Sequence, residues 1–464
     1  MGDLSVETTP IPDLLVVRLD RREDARGWFK ENWQREKMVA LGLPDFGPVQ
    51  HNVAWNAARG STRGIHTEPW DKFVSVATGR VFGAWVDMRE GDTFGAVFTV
   101  EIDPDVAVFV PRGVGNSYQA LEDGTAYSYL VNDHWRPGTA YPALNLADPT
   151  VAIPWPIPLA DAEISEKDLS TPLLDAVTPM APKRTLIIGC RGQLGRALQV
   201  DFPDADLVGR DELDVTDAAA IEAWPWHEYA VVLNAAAYTA VDAAESPQGR
   251  RTAWAANAGA PATLARLSRE HGFTVVHYSS EYVFDGTAEE HSEDEPVSPL
   301  GVYAQSKAAG DIAIGTAPRH YLLRTSWVIG DGSNFVRTMQ SLAAKGVSPS
   351  VVADQRGRLT FTAELSRATR HLLDTRATYG TYNLSNGGPV QSWAEIAQAV
   401  FRLSGRDAAD VTPTTTEEYF AGRSDYSPRP LNSAMSLAKI EATGFVPEHA
   451  TVALERYVGV SADA

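Results

Sequence analysis

The chain has 464 residues, and at about 100–200 residues per domain this length predicts two or three domains, of which two fit the pattern best. Hydrophobic residues make up 44% and charged residues 22%, as in soluble globular domains, which excludes a disordered or fibrous protein. The formal charge of −20 argues against a nucleic-acid partner, so local arginines must bind any anionic substrate.

The chain contains a single cysteine, Cys190, which excludes an internal disulfide framework. A lone thiol suits a reducing compartment, so we expect a cytoplasmic protein. The sequence has no segment typical of a signal peptide and no apolar run of about 18 residues, so no membrane partner is expected.

The first third of the chain consists of short apolar runs between turn signals, with no long helical period among them. This pattern predicts an antiparallel all-β sandwich or barrel. The runs are Leu14–Leu19, Phe73–Val76, Val81–Met88, Phe98–Ile102, Val106–Val110 and Tyr127–Val131.

From Arg184 onward, short buried-strand runs alternate with helical stretches such as Ala253–His271. This alternation predicts a doubly wound parallel sheet covered by helices. The prolines of Thr178–Pro182 mark a linker, so we predict domains at residues 1–181 and 182–464. The strand runs are Thr185–Ile188, Ala230–Leu233, Thr274–His277 and Tyr321–Arg324.

A glycine-rich turn follows the first strand of the second domain. Gly189, Gly192 and Gly195 would let backbone amides approach a pyrophosphate at a helix N-terminus, although such turns also occur as plain connections. Arg210 follows the next strand, where an arginine can bind a 2′-phosphate and favour NADPH over NADH; a solvated surface arginine is the alternative.

Tyr303 and Lys307 are one helical turn apart, so both side chains project from the same helix face. A nearby ammonium group favours the phenolate and makes tyrosine a proton donor near neutral pH. Ser280 ends a strand and could converge with both, because ligand sites of doubly wound sheets lie at the carboxyl ends of strands. An ordinary surface pair of tyrosine and lysine is the alternative.

Several ordered segments of the second domain resemble the dTDP-4-dehydrorhamnose reductase family, a branch of the extended short-chain dehydrogenases. The resemblance covers nearly all of residues 184–457 and implies a Rossmann-like fold with a small substrate-binding subdomain. The segments are Gly189–Gly195, Asn234–Asp242, Ser279–Phe284, Tyr303–Lys307, Arg324–Val328, Asp354–Gly357 and Arg429–Ser433.

The resemblance assigns roles residue by residue. It makes Tyr303 the acid that protonates the C4 oxygen, Lys307 the residue that binds the nicotinamide ribose, and Ser280 the replacement of the usual threonine. Glu281 replaces the usual aspartate. Mg²⁺ is compatible with this domain but cannot be read from the sequence. The remaining predicted contacts are Gly189, Arg191, Gly192, Gln193, Leu194, Gly195, Arg210, Asp214, Val215, Ala235, Ala236 and Ala237 for the cofactor, and Thr239, Val241, Asp242, Trp327 and Arg429 for the substrate.

In the first domain, His66, Lys72 and Tyr129 could supply a base, a cation and an acid. Epimerisation beside a ketone needs these three: the base removes a proton, the cation stabilises the enolate, and the acid returns a proton from the other face. Without a family, a histidine or tyrosine in a sheet is more often an ordinary core or rim residue.

Ordered segments of the first domain resemble the dTDP-4-dehydrorhamnose 3,5-epimerase family over roughly residues 8–176. The resemblance implies a cupin-type jelly roll in which His66 is the base, Asp168 its carboxylate partner, Lys72 the enolate stabiliser and Tyr129 the acid. The segments are Asp24–Phe29, Gln50–Asn52, Arg63–His66, Asp87–Arg89, Val110–Gly113, Ile153–Pro156 and Ser165–Asp168. The predicted substrate contacts are Arg26, Glu31, Gln50, Asn52, Arg63 and Asn116.

The first domain departs from this family at three places. Asn116 stands where the family has a histidine, Thr67-Glu68 replaces an aromatic-glutamine pair, and the loop before Lys72 is shorter. All three border the expected pocket, so the preferred sugar could differ. No companion histidines stand at metal-ligand spacing around His66, so we predict no metal.

The two resemblances fit one reaction sequence, because the product of the epimerase family is the substrate of the reductase family. We therefore expect a bifunctional enzyme that converts dTDP-4-dehydro-6-deoxy-D-glucose to dTDP-L-rhamnose with NADPH or NADH, and we expect a homodimer. One alternative is the same chemistry on a related 4-keto-6-deoxy sugar nucleotide, with single-centre epimerisation. Another is a reductase whose N-terminal domain binds the sugar nucleotide without catalysis.

Overall fold

A computed structural model describes residues 4–135, 141–423 and 426–462 of the chain. The chain divides into two compact units, Met1–Pro182 and Lys183–Ala464, called the N-terminal and C-terminal units below. Within the described residues, no helix is long and apolar enough to cross a membrane.

The N-terminal unit is built from strands, as its apolar runs predict. Two short helices accompany them, α1 (Arg35–Ala40) and α2 (Glu166–Leu169). The strands are β1 (Ser5–Thr8), β2 (Leu15–Arg18), β3 (Arg21–Asp24), β4 (Gly27–Lys30), β5 (Gln50–Asn56), β6 (Thr62–His66), β7 (Lys72–Thr78), β8 (Val81–Asp87), β9 (Val97–Ile102), β10 (Val106–Val110), β11 (Val114–Ala120) and β12 (Thr125–Val131).

Two antiparallel sheets face each other in this unit. One has the strand order β1-β2-β10-β7-β12-β5 and the other β6-β11-β8-β9, while β3 and β4 form a separate hairpin. Apolar side chains from both sheets, including Val74, Trp85 and Tyr127, form a buried core between them. The predicted jelly roll is confirmed as two packed antiparallel sheets, with alternate residues such as Val74 and Val76 of β7 and Val106, Val108 and Val110 of β10 buried between them.

The C-terminal unit begins with a strand at Arg184 and alternates strands with helices. Its helices are α3 (Gln193–Asp201), α4 (Ala218–Ala223), α5 (Pro247–Trp254), α6 (Ala260–His271), α7 (Val302–Ile314), α8 (Phe335–Ala344), α9 (Thr362–Asp374), α10 (Trp393–Leu403), α11 (Thr416–Tyr419), α12 (Ala438–Glu441) and α13 (Ala450–Ala462). A π-helical turn, Ala255–Gly259, joins α5 to α6.

Six strands of this unit form a parallel sheet of order β14-β13-β15-β16-β17-β22. The order reverses beside β13, and in such sheets the crevice at the carboxyl ends of the strands binds ligands. The predicted Rossmann-like fold is thereby confirmed. The strands are β13 (Arg184–Ile188), β14 (Asp206–Val208), β15 (Tyr229–Asn234), β16 (Thr274–Ser280), β17 (His320–Thr325), β18 (Val328–Ile329), β19 (Ser350–Val352), β20 (Arg356–Gly357), β21 (Thr360–Phe361), β22 (Gly380–Leu384), β23 (Gln391–Ser392) and β24 (Thr412–Thr414).

Apolar residues cover both faces of this sheet, since separate clusters around Leu264 and Leu365 pack on its opposite sides. A third cluster, around Val336, Ile396 and Leu454, forms the core of a smaller subdomain built from α8, α10 and α13. The parallel strands are therefore mostly buried, and β16 is buried along its whole length, as the near-continuous apolar runs predict.

Candidate active sites

In the N-terminal unit, the imidazole of His66 is hydrogen-bonded to a buried carboxylate. His66 ends β6, and Ser165 caps α2 so that Asp168 points at the sheet. His66 Nε2 lies 2.7 Å from Asp168 Oδ1, and the side chains are 38% and 6% exposed, respectively. Since the carboxylate is buried and the imidazole is open to solvent, Asp168 can orient His66 and stabilise its protonated form.

Lys72, at the start of β7, forms a buried ion pair with Glu68. Its Nζ lies 2.5 Å from Glu68 Oε2 and 5.7 Å from the ring centre of Tyr129 on β12. Burial raises the pKa of Tyr129, and the negative charge of Glu68 raises it further. Tyr129 is therefore held as a neutral phenol that can donate a proton, with a cation nearby.

Asn116 on β11 stands opposite His66 on β6. Its Oδ1 accepts hydrogen bonds from Trp85 Nε1 and from the Tyr127 hydroxyl, each at 3.0 Å. Two donors on one oxygen fix the orientation of the amide, so Asn116 can offer only its Nδ2 donor to a bound sugar. A histidine at this position could exchange a proton, whereas an amide cannot.

The remaining predicted substrate contacts of this unit divide into two groups. Gln50 and Asn52 lie half-buried on β5, where Gln50 Nε2 donates to Asn52 Oδ1 at 2.9 Å. Arg63 Nε donates to Asn56 Oδ1 at 3.3 Å, and Tyr118 donates to the same oxygen at 3.2 Å. The sequence analysis missed Asn56, which no motif marked.

Arg26 and Glu31 have other partners in the structure. Arg26 lies on the β3–β4 hairpin with a 90% exposed side chain and pairs with Asp24. Glu31 pairs with Lys37 of α1. β3 and β4 form their own two-stranded sheet, which Lys30 anchors by donating to the Val76 and Pro104 carbonyls, each at 2.9 Å. Among the described residues, Arg26 contacts Asp24 rather than the His66 cluster.

In the C-terminal unit, the glycine-rich turn borders a cavity of about 340 Å³ at the carboxyl ends of β13, β14 and β15. Gly189 has a φ of +77°, and a Cβ there would lie 2.8 Å from the Ala236 nitrogen. A Cβ on Gly195 would lie 2.2 Å from the Gly189 oxygen. Both glycines are required for this turn, and the cradle they leave fits a dinucleotide pyrophosphate.

Most of the predicted cofactor contacts line this cavity. Gln193, Leu194 and Gly195 instead start α3 beside it, where Gly195 packs on the turn and Leu194 on the core. Tyr238, Thr252 and Ala256 also line it and were missed, because they belong to a loop and helix without a glycine motif. The predicted lining residues are Gly189, Arg191, Gly192, Arg210, Asp214, Val215, Ala235, Ala236 and Ala237.

Two arginines at the rim of the cavity are paired with carboxylates. Arg191 contacts Asp211 at 2.5 Å and also pairs with Glu212, whereas Arg210 Nε lies 3.1 Å from Asp214. Both guanidinium groups are largely exposed. Either could turn toward a phosphate group; the sequence analysis predicted both as cofactor contacts but gave the 2′-phosphate to Arg210 only.

The predicted catalytic residues of this unit lie at the end of β16 and on α7. Lys307 is buried, and its Nζ donates to the Tyr278 carbonyl at 2.6 Å. Burial lowers the pKa of Lys307 to about 8, although Asp311 opposes the shift. Asp311 in turn lies 2.9 Å from Arg324 Nε, so a chain of buried charges supports the lysine.

The pKa of Tyr303 differs from the sequence expectation. Burial and the charge of Glu281 raise it, and a hydrogen bond with Ser280 opposes them only in part. Lys307, whose ammonium donates to the Tyr278 carbonyl, is not among the main influences on the pKa of Tyr303. Tyr303 is therefore a neutral phenol, suited to donating a proton rather than to acting as a base.

Asn257 was missed by the sequence analysis. It lies in the π-helical turn, where its Nδ2 donates to the Tyr238 carbonyl at 3.0 Å and to Ser306 Oγ at 3.1 Å. Its Oδ1 accepts from the Tyr238 nitrogen at 2.9 Å. One buried amide thus ties the cofactor-lining loop to α7, which carries Tyr303 and Lys307. A π-turn often marks a functional site, but it has no simple sequence signature.

The predicted sugar contacts of this unit are partly brought together. Arg429 lies 2.9 Å from Asp242, on the loop after β15 that also carries half-buried Val241 and exposed Thr239. Trp327 has a positive φ of 45° and stacks on Trp393 with ring centres 3.8 Å apart. A tryptophan held in this backbone region suggests a functional constraint. Among the described residues, no group of three or more His, Cys, Asp or Glu side chains could hold a metal ion.

Comparisons with known proteins identify the family of each unit. Residues 183–461 match the family model described as RmlD substrate binding domain, and residues 8–176 match that described as dTDP-4-dehydrorhamnose 3,5-epimerase. The N-terminal unit is similar to "Protein RmlC homolog" of Streptococcus pyogenes, with 48% identity in an alignment that covers 38% of this chain and 92% of that protein.

The C-terminal unit is similar to a Streptomyces antibioticus protein named "Probable dTDP-4,6-dihydroxy-2-methyloxan-3-one 4-ketoreductase", with 38% identity over 57% of this chain and 90% of that protein. It also resembles the crystal structure of dTDP-4-dehydrorhamnose reductase from Bacillus anthracis in complex with NADP. The TM-score is 0.55 and the identity 31%, covering 60% of this chain and 99% of that chain. The chain is therefore a fusion of a dTDP-4-dehydrorhamnose 3,5-epimerase family domain with an RmlD family reductase domain.

Proposed function

We propose that this chain converts dTDP-4-dehydro-6-deoxy-D-glucose to dTDP-L-rhamnose in two steps. The N-terminal unit epimerises the sugar at C3 and C5, and the C-terminal unit reduces the C4 ketone. The observation that carries the proposal is the presence of a full acid–base set in each unit: His66, Asp168, Lys72 and Tyr129 in the first, and Ser280, Tyr303 and Lys307 in the second.

In the first step, His66 removes the proton from the carbon beside the ketone, and Asp168 stabilises the imidazolium that forms. Lys72 stabilises the enolate oxygen, because its charge is buried and therefore weakly screened by water. Tyr129 returns a proton to the opposite face. The same residues act at the second carbon.

In the second step, Tyr303 donates its proton to the C4 oxygen while Ser280 binds that oxygen, and Lys307 holds the cofactor ribose. When bound, NADPH supplies the hydride that reduces C4. The fit of the cofactor is supported by the glycine cradle of Gly189 and Gly195 and by the exposed arginines at the rim. The relative from Bacillus anthracis, whose structure contains NADP, supports the same choice.

A related 4-keto-6-deoxy sugar nucleotide is a second candidate substrate. Asn116 favours it, because the resemblance implies a histidine at this position, whereas the fixed amide opposite His66 cannot exchange a proton. The Streptomyces antibioticus relative is a ketoreductase of a differently named sugar, which favours it too. A binding role without catalysis is disfavoured, since binding alone does not require His66 to be paired with Asp168.

Homodimer formation and a cytoplasmic location are part of the proposal. The edge strand β5 exposes Val53 and Trp55, which follow exposed Val49, and the β3–β4 hairpin exposes Phe29. Apolar side chains along an edge strand favour pairing with a second copy. Light scattering tests this: the parent protein should have twice the chain mass, and Trp55→Lys should shift it toward the monomer. Cys190, a free thiol, favours a reducing compartment.

Product analysis tests the proposed function. The purified chain is incubated with dTDP-4-dehydro-6-deoxy-D-glucose and NADPH or NADH, and the product is identified by NMR. The proposal expects dTDP-L-rhamnose, with one NADPH oxidised per sugar. A product inverted at only one carbon would favour the second candidate, and unchanged sugar would contradict both.

A further inference from the structure

Glu281 is a buried carboxylic acid beside the reductase site for which the mechanism above has no use. It follows Ser280 directly at the end of β16, and only 3% of it is exposed. Its neighbourhood is polar, since the Ser280 hydroxyl lies 2.9 Å from Glu281 Oε2 and a hydrogen bond with Ser433 also acts on the carboxyl group.

The hydrogen bonds of Ser280 leave open only which group accepts its single hydroxyl proton. A hydroxyl has one proton to donate and two lone pairs to accept. Ser280 Oγ already accepts from the Tyr282 nitrogen at 3.2 Å and donates to Glu281 Oε2. An ionised carboxylate can only accept, so an ionised Glu281 takes the single Ser280 proton, which is then not available to a ketone.

A protonated Glu281 reverses this arrangement. Its O–H donates to Ser280 Oγ, which accepts that bond together with the Tyr282 N–H. The Ser280 proton then no longer goes to the carboxyl group, and it can be donated to the C4 ketone oxygen or to the oxygen of Tyr303, with which Ser280 also forms a hydrogen bond. No bond is broken or formed at Glu281 in the reduction: the transferred proton still comes from Tyr303, and the Glu281 proton stays in the site.

We propose that Glu281 is a positioning residue of the reductase, which determines whether the Ser280 hydroxyl donates to the carboxylate or to the substrate ketone, so that reduction requires protonated Glu281. This inference rests on the proposed reductase function.

The electrostatic surroundings of Glu281 make the two forms accessible near neutral pH. Burial raises the pKa of Glu281 to about 7, although hydrogen bonds with Ser280 and Ser433 oppose the shift. Ionised Glu281 also raises the pKa of Tyr303 and makes that phenol a weaker acid. Both effects act in the same direction, against reduction at high pH. The other titratable or charged groups around the site are Tyr282, Tyr303, Lys307 and Asp311, and the pair Asp242 and Arg429.

The test compares the parent protein with Glu281→Gln over the pH range of about 5.5 to 9, with NADPH and sugar nucleotide already epimerised by a separate enzyme. A glutamine amide donates to Ser280 permanently, as the protonated acid does. The parent kcat/KM should fall about tenfold per pH unit above neutrality. Glu281→Gln should keep the parent rate at low pH and should not show this decline. Its kcat/KM should fall only at higher pH, where Lys307 loses its proton.

Two outcomes would overturn the proposal. One is that kcat/KM of Glu281→Gln falls with pH in the same way as that of the parent. The other is that Glu281→Gln binds NADPH normally but is inactive at every pH. Ser280→Ala serves as the second variant: it should reduce activity and make the decline near neutral pH shallower, because only the effect of Glu281 on Tyr303 then remains. A decline as steep as that of the parent would show that Ser280 does not mediate it.

A measurement without substrate separates this proposal from the proposed function. The infrared carbonyl band of a protonated carboxylic acid should disappear from the parent protein as the pH rises through neutrality, and Glu281→Gln should lack that band. If this band does not differ between the parent and Glu281→Gln, Glu281 is not protonated, and the proposal fails even if the reductase is active. A parent protein that shows the band but never oxidises NADPH would instead refute the reductase function.

Discussion

His66 Nε2 lies 2.7 Å from Asp168 Oδ1, although 102 positions separate the two residues in the chain. The buried carboxylate fixes which imidazole nitrogen carries a proton, and it stabilises the imidazolium formed on proton abstraction. Because Asp168 is held by the Ser165 cap of α2, the segment after the sheets completes the site on β6.

Asp168→Asn should therefore slow epimerisation while leaving the fold intact. The amide cannot stabilise imidazolium, so we expect a loss of about 10²–10⁴-fold in the rate of deuterium exchange from solvent into the sugar. NMR of the sugar nucleotide in D₂O measures this rate. Asp161→Asn, a change at an exposed carboxylate in the same segment, is the matched control and should exchange normally. Equal rates for both variants would remove Asp168 from the mechanism.

Glu68→Gln tests the ion pair with Lys72. The negative charge of Glu68 helps to raise the pKa of Tyr129, so the Glu68→Gln substitution should lower that pKa. Since Tyr129 must be protonated to act as the acid, the alkaline loss of exchange activity should move to lower pH. The measurement is the pH profile of deuterium exchange, with Glu101→Gln, on the exposed part of β9, as the control. If Glu68→Gln loses exchange activity at the same alkaline pH as the parent protein, Tyr129 is not the titrating acid.

Tyr303→Phe should abolish most of the reduction, because it removes the proton donor. The expected loss is about 10²–10⁴-fold in kcat, with NADPH binding nearly unchanged. Oxidation of NADPH is followed with sugar that has already been epimerised. Tyr278→Phe is the control: this buried hydroxyl bonds to Thr369 instead, so its loss should leave kcat intact. Parent-like oxidation by Tyr303→Phe would contradict the assignment.

Arg210→Ala tests the choice of cofactor. If its guanidinium turns from Asp214 to a 2′-phosphate, the variant should raise the KM for NADPH more than that for NADH. Arg191→Ala is the informative companion, because Arg191 pairs with Asp211 and Glu212 at the same rim. If Arg210→Ala changes the KM for NADPH and the KM for NADH equally, Arg210 is an ordinary surface residue.

The sequence predicts those parts of the structure that local patterns determine. The apolar runs become the strands of both units, and the glycine turn becomes the cradle at Gly189 because only glycine tolerates its φ of +77° beside the Ala236 backbone. The pairing of Asp242 with Arg429 joins segments that were predicted separately as substrate contacts.

Other features depend on contacts that no motif records. Asn257 joins the cofactor loop to α7 through a π-helical turn, and such a turn arises from packing rather than from a residue pattern. The raised pKa of Tyr303 likewise follows from burial and from Glu281, whereas spacing along the helix pointed to Lys307. Arg26 lies on an exposed hairpin, which its motif alone did not predict.

The central claim is that one chain carries two independent catalytic sites that act in sequence. The most direct test follows solvent deuterium incorporation at C3 and C5 together with NADPH oxidation, in His66→Ala and in Lys307→Ala. We predict that His66→Ala loses exchange and recovers NADPH oxidation when a separate epimerase is added, while Lys307→Ala keeps exchange and loses oxidation. Normal exchange in His66→Ala, or oxidation that no added epimerase restores, would contradict the account.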